Sequence, residues 1–102
     1  MFVAVYRWRL KAGHEDEFAQ SWQRVTEAIL RDCGSHGSAL FRGDDGTYSA
    51  IAIWPDRETR ERCSPAVETE LARMTDCIEE RFPEERLEML SNLWAFPGLG
   101  RR

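Results

Sequence analysis

Apolar residues fall into two rhythms along this chain, one of period two and one of three to four, and the rhythms alternate. Over residues 2–10, β-branched and aromatic side chains dominate, which reads as a strand. Lys11-Ala12-Gly13 reads as a turn. Phe18, Trp22, Val25 and Ile29 then recur at i, i+4, i+7 and i+11, the stripe of an amphipathic helix. Glu15, Asp16 and Glu17 place negative charge in its first turn, where the helix dipole favours it, and Gly34 reads as its stop.

The second half repeats this plan. Residues 38–42 read as a short strand, Gly43-Asp44-Asp45-Gly46 as a hairpin turn, and residues 47–54 as a third strand that Pro55 ends. Residues 56–62 predict an exposed helical turn laced by Asp56–Arg60, Arg57–Glu61 and Glu58–Arg62. Ser64-Pro65 reads as the start of a longer helix with the stripe Val67, Leu71, Met74 and Ile78, stopped at Phe82-Pro83. A last strand is expected over residues 87–96, followed by a C-terminal tail at 97–102. The expected order is strand–helix–strand–strand–helix–strand. This is the split βαββαβ, ferredoxin-like α+β plan: a four-stranded antiparallel sheet with both helices on one face, in a single domain over residues 1–96.

The sheet's other face changes the picture. Ala4, Tyr6 and Trp8 share one face of the first strand, and Val3 and Val5 share the other. In the third strand Tyr48, Ala50, Ala52 and Trp54 alternate with Ser49, Ile51 and Ile53. Neither face is polar, whereas a sheet with one covered face alternates apolar and polar residues. A second cover is needed, and a homodimer packed through Val3, Val5, Ile51 and Ile53 is the simplest one.

Composition adds exclusions. At 102 residues the chain holds one small core, thin enough for burial against a partner to matter. A net charge of −4 argues against nucleic acid as a partner, since phosphate binding wants a basic face. No apolar run approaches the roughly 18 residues of a membrane span. No basic lead precedes the opening apolar stretch, so a signal peptide is not expected. Cys33, Cys63 and Cys77 are an odd set without CxxC spacing. Neither a disulfide framework nor a zinc site is therefore expected, and a reducing, cytoplasmic setting follows. No nucleophile elbow, phosphate loop or HExxH motif is present.

Three stretches carry a resemblance. The first is Tyr6-Arg7-Trp8-Arg9-Leu10-Lys11-Ala12-Gly13, with Glu15 to Phe18 after it. The second is Gly34-Ser35-His36-Gly37-Ser38-Ala39-Leu40-Phe41-Arg42, a Gly-x-x-Gly approach to the second strand. The third is Ile53-Trp54-Pro55 with the charged residues that follow. In their order and spacing these resemble the antibiotic biosynthesis monooxygenase (ABM) domains of the dimeric α+β barrel superfamily. The resemblance implies two sheets closing into a barrel across a dimer, with ligands in the cleft between each sheet and its helices. The family includes cofactor-free monooxygenases acting on quinols and polycyclic phenols, haem-degrading relatives, and members without known activity, so fold alone does not settle the reaction.

A cofactor-free oxygenase must bind an aromatic, take a proton from it and exclude water. Tyr6, Trp8 and Trp54 supply flat aromatic walls, and Ala50 and Ala52 leave room beside them. Trp22 and Asn92 are further candidates for contact with a planar aromatic ligand. His36 is the candidate base, because imidazole titrates near neutrality, with Tyr6 as the second catalytic candidate. No metal and no cofactor are called for. A competing reading makes the aromatics plain core and His36 a solvated loop residue, which leaves a non-catalytic ligand-binding or assembly module. Haem binding or degradation is a third reading. Trp54 matches a tryptophan that lines the haem cleft in the haem-degrading relatives. Tyr6, however, stands where they carry asparagine, and residues 60–67 offer no histidine to ligate iron.

Overall fold

The computed structural model describes residues 1–95, so Phe96 and the expected tail at 97–102 lie outside the described residues. The elements are β1 (Phe2–Leu10), α1 (Glu15–Cys33), β2 (Ser38–Arg42), β3 (Tyr48–Trp54), α2 (Arg57–Glu61), α3 (Glu68–Asp76), β4 (Ile78–Arg81) and β5 (Glu85–Glu88). The sheet runs β2-β3-β1, and β4 and β5 share the remaining edge of β1; every pairing is antiparallel. The architecture is the ferredoxin-like α+β plan, with an open sheet rather than a closed barrel.

The expected fourth strand is in fact two strands. β4 pairs with Trp8–Leu10 and β5 with Phe2–Val5. Phe82 N still donates to Arg7 O at 3.0 Å, but Pro83 has no N–H to continue the ladder, and pairing resumes only at Glu85. The strand expected over residues 87–96 is thereby corrected: β5 ends at Glu88, a last bond runs from Met89 N to Met1 O at 2.9 Å, and residues 89–95 form neither helix nor strand. The second long helix is corrected as well. Its N-cap is Val67, not Ser64, and it ends at Asp76, with the Cys77 N–H turned back onto Met74 O. Ile78, the last member of the expected stripe, opposes Leu10 as the first residue of β4.

α1 follows its stripe. Phe18, Val25 and Ala28 are buried, and Gly34 closes the helix at φ 71°, a left-handed conformation that suits glycine. Phe18 and Val25, with Met74 and Cys77, pack on Trp8, Leu10 and Ala50 of the sheet. A second cluster joins Phe2, Ala4 and Trp54. The register sets Phe2 opposite Trp54, Ala4 opposite Ala52 and Tyr6 opposite Ala50, all on the helix-covered face. The opposite face carries Val3 against Ile53 and Val5 against Ile51, and the same alternation puts Phe41 and Leu87 there, each 48% exposed. No helix among the described residues is long and apolar enough to cross a membrane.

Cysteine pairing departs from expectation. Cys33 and Cys63 form a disulfide that joins the end of α1 to the segment after α2, whereas Cys77 is a free, buried thiol. Burial, then the nearby Glu17, pushes that thiol's pKa up, which keeps it neutral and suited to an apolar core.

Candidate functional site

Between the sheet and its helices lies a cleft of about 260 Å³. The strands bring Tyr6, Trp8, Ala50, Ala52 and Trp54 to it, and α1 brings Trp22, Val25, Thr26 and Ile29. Period-two alternation explains the first group, since these positions share one face of adjacent strands. Tyr6 and Trp8 stack with centroids 6.0 Å apart and ring planes 6° from parallel, and Phe18 meets Trp8 edge-on at 5.0 Å. A planar aromatic wall is thus built from two residues of a single strand. Small residues opposite make the space: a larger side chain at Ala50 or Ala52 would occupy it.

Six residues singled out from sequence therefore converge here: Tyr6, Trp8, Trp22, Ala50, Ala52 and Trp54. Two others do not. His36 is exposed; its backbone N–H is tied to Ile53 O at 2.8 Å, and its neighbours Ser35 and Gly37 line the cleft in its place. Asn92 falls beyond β5 in the segment without strand pairing, is exposed, and its Oδ1 accepts from Trp94 N at 3.1 Å. The reason is the early end of β5, which leaves Asn92 no register on the sheet.

Arg60 is the residue that sequence reasoning missed. It was read as the partner of Asp56 on an exposed turn, but Asp56 instead accepts from Thr59 N at 2.7 Å as the N-cap of α2. Arg60 turns inward. Its Nη2 donates to the Tyr6 hydroxyl at 2.8 Å and meets Glu84 Oε2 at 2.8 Å. Burial works against the Arg60 charge, yet the bond to Tyr6 and the Glu84 charge prevail and hold its pKa above the ordinary value. With Arg60 donating, the Tyr6 O–H proton is free for an acceptor in the cleft. Nothing in the local sequence distinguishes this arginine from its neighbours.

Trp54 is 4% exposed, and its Nε1–H finds no acceptor among the described residues. Such an orphan costs about 1–3 kcal/mol. Polar groups otherwise sit in the cleft as Thr26, Ser35, Ser38, Thr75 and Arg81. Among the described residues neither histidine nor cysteine lines it, Tyr6 is held by Arg60, and Met74 alone would remain as an axial ligand, so the lining does not fit haem. A separate trio, His14, Glu17 and Cys77, gathers at the start of α1, where Cys77 Sγ already donates to Arg73 O.

Residues 1–64 match the model of the antibiotic biosynthesis monooxygenase (ABM) family. The chain belongs to that family. The matched stretch runs from β1 through α2 and holds Tyr6, the cleft tryptophans and Arg60. Similar ABM-type folds occur among solved structures. SnoaB, a cofactor-independent oxygenase from Streptomyces nogalater, superposes with a TM-score of 0.76 at 20% identity, over 90% of this chain and 95% of SnoaB. Rv0793 from Mycobacterium tuberculosis does so with a TM-score of 0.75 at 12% identity, over 91% of this chain and 98% of that one. At these identities the likeness is one of fold. No protein of curated function matches the sequence.

Proposed function

We propose that this ABM protein is a cofactor-independent monooxygenase acting on a small planar aromatic, a hydroquinone or related phenol, as a cytoplasmic homodimer. The observation that carries this reading is the cleft of about 260 Å³ walled by the stacked Tyr6 and Trp8, with Arg60 held against the Tyr6 hydroxyl. That volume lies just under the usual range of small-molecule sites, about 300–1,000 Å³, and suits one or two fused rings.

The chemistry uses the substrate's own electrons. Tyr6 O–H donates to the substrate oxygen, and the Arg60 charge behind it favours the ionised form of that oxygen. The phenolate passes electrons to molecular oxygen, one oxygen atom joins the ring, and the other leaves as water. A hydroquinone plus O₂ gives a hydroxyquinone plus water, which balances with no external reductant. Trp8, Trp22 and Trp54 hold the ring and keep solvent from the intermediate. Support for the dimer comes from the apolar face of Val3, Val5, Ile51 and Ile53, with Phe41 and Leu87 exposed beside it.

One observation favours a second reading, a binding module without catalysis: among the described residues, neither histidine nor carboxylate lines the cleft to serve as a base. Oxygen uptake with a panel of hydroquinones separates the two. Uptake above the protein-free rate supports the oxygenase, and saturable binding without uptake supports the module.

A further inference from the structure

The Cys33–Cys63 bridge joins two segments that border the cleft. Cys33 ends α1, and the loop that follows carries Ser35 and Gly37 onto the cleft wall. Cys63 follows α2, three residues after Arg60, which holds the Tyr6 hydroxyl. Both cysteines pack on the cluster of Phe2, Ala4 and Trp54, so the bridge also backs a cleft tryptophan. α2 itself has five residues and buries none of them. A helix that short has little stability of its own, and the bridge is its covalent anchor.

The bridge is also within reach of solvent. Cys33 and Cys63 are half-buried, and a depression of about 330 Å³ lined by Asp32, Thr59, Arg62 and Ser64 opens onto them. A small thiol fits there, and Arg62 brings positive charge to an approaching thiolate.

We infer that the Cys33–Cys63 disulfide is a reducible clasp that sets the order of the cleft mouth, with small cellular thiols as its reductant. A thiolate attacks one sulfur, the Cys33–Cys63 bond breaks, and the displaced cysteine takes a proton. A second small thiol then attacks the mixed disulfide, freeing the other cysteine as a thiol and leaving as a small disulfide. Two electrons pass to the protein sulfurs, and two small thiols are oxidised. Disulfides in thiol-rich compartments are typically transient or redox-sensing, which fits a bridge at a site's edge. Release restores chain freedom to a 30-residue separation, and the loosely packed α2 gains most of it.

The effect on binding rests on the proposed reading of the cleft; the effect on order does not, so the test has two arms. Hydrogen exchange is followed in the full chain with and without dithiothreitol, alongside titration with 1-naphthol read by tryptophan fluorescence. Reduction is expected to speed exchange about tenfold in residues 34–38 and 57–63, to leave the middle of α1 unchanged, and to weaken 1-naphthol binding several-fold. The C33S/C63S variant is expected to match the reduced chain without reductant. Unchanged exchange in both segments on reduction of the wild-type chain overturns the clasp, whatever 1-naphthol does. An equal response to dithiothreitol in C33S/C63S overturns it too. Faster exchange with no 1-naphthol binding in either state supports the clasp and counts against the cleft reading alone.

Discussion

Arg60 and Tyr6 stand 54 residues apart in sequence and meet at 2.8 Å, Nη2 to hydroxyl, beside the cleft. The contact sets a cation directly behind a cleft-lining hydroxyl, and Glu84 pairs with that cation. Tyr6→Phe removes the hydroxyl and little packing. On the proposed mechanism kcat falls about 100-fold with the melting temperature nearly unchanged. Arg60→Met lowers kcat similarly and costs about 1–2 kcal/mol of stability, because Glu84 is left half-buried with Arg86 alone. Steady-state oxygen uptake and thermal melts of both variants check this, and a Tyr6→Phe enzyme at full rate would remove Tyr6 from the mechanism.

Ala52 faces the cleft opposite Ala4 and is half-buried. Ala52→Leu adds three carbons into the open volume rather than into packed core. Affinity for 1-naphthol is expected to fall tenfold or more, while stability changes by less than about 1 kcal/mol. Calorimetric titration beside a melting curve reads both quantities. Unchanged affinity would place the ligand elsewhere.

Val5 and Ile51 oppose each other on the sheet face away from the helices. A carboxylate there meets water in a monomer but is buried in a sheet-to-sheet dimer, at a cost of several kcal/mol. Val5→Asp or Ile51→Asp is expected to give aggregated or unfolded chain, and the wild type is expected to sediment as a dimer. A folded, monomeric Ile51→Asp protein in sedimentation velocity would mean that the single chain suffices.

Asp45 shapes the β2–β3 turn by accepting from Thr47 Oγ1 at 2.7 Å and Thr47 N at 3.0 Å, and it also pairs with Arg7 at 3.1 Å. The Thr47 hydroxyl and amide, with Arg7 behind them, hold its carboxyl down to about 2 from 3.8. A depressed carboxyl stabilises the folded state above its unfolded value and stops doing so as pH falls through the folded one. Stability from this turn is thus full above about pH 4 and drains away toward about pH 2. Asp45→Asn should flatten the acid limb of the melting temperature over that window. An identical acid limb would show that the turn does not contribute.

The cleft was legible in sequence wherever period carried it. Tyr6, Trp8, Ala50 and Trp54 follow from strand alternation, and Trp22 from the α1 stripe. Ile78 misled for the same reason: it keeps helical spacing from Met74, but the helix ends two residues earlier, at Asp76, and Leu10 offers it a strand partner. The segment after Leu87 reads as strand only through its scattered apolar residues, and β1 has just Phe2–Val5 left for β5 to pair with. Arg60–Tyr6 and Cys33–Cys63 left no local trace. Each joins segments whose closeness is decided by the packing of α2 over the sheet, and neither spacing nor residue type signals that.

The proposed function meets its most direct test in isotopically labelled oxygen. Purified protein, with no flavin or metal added, is given a hydroquinone under labelled O₂, and the product is read by mass spectrometry. The cleft mechanism predicts a hydroxyquinone carrying one labelled oxygen per turnover, formed about 100-fold more slowly by Tyr6→Phe. Product formation no faster than without protein, or unlabelled quinone alone, would contradict it.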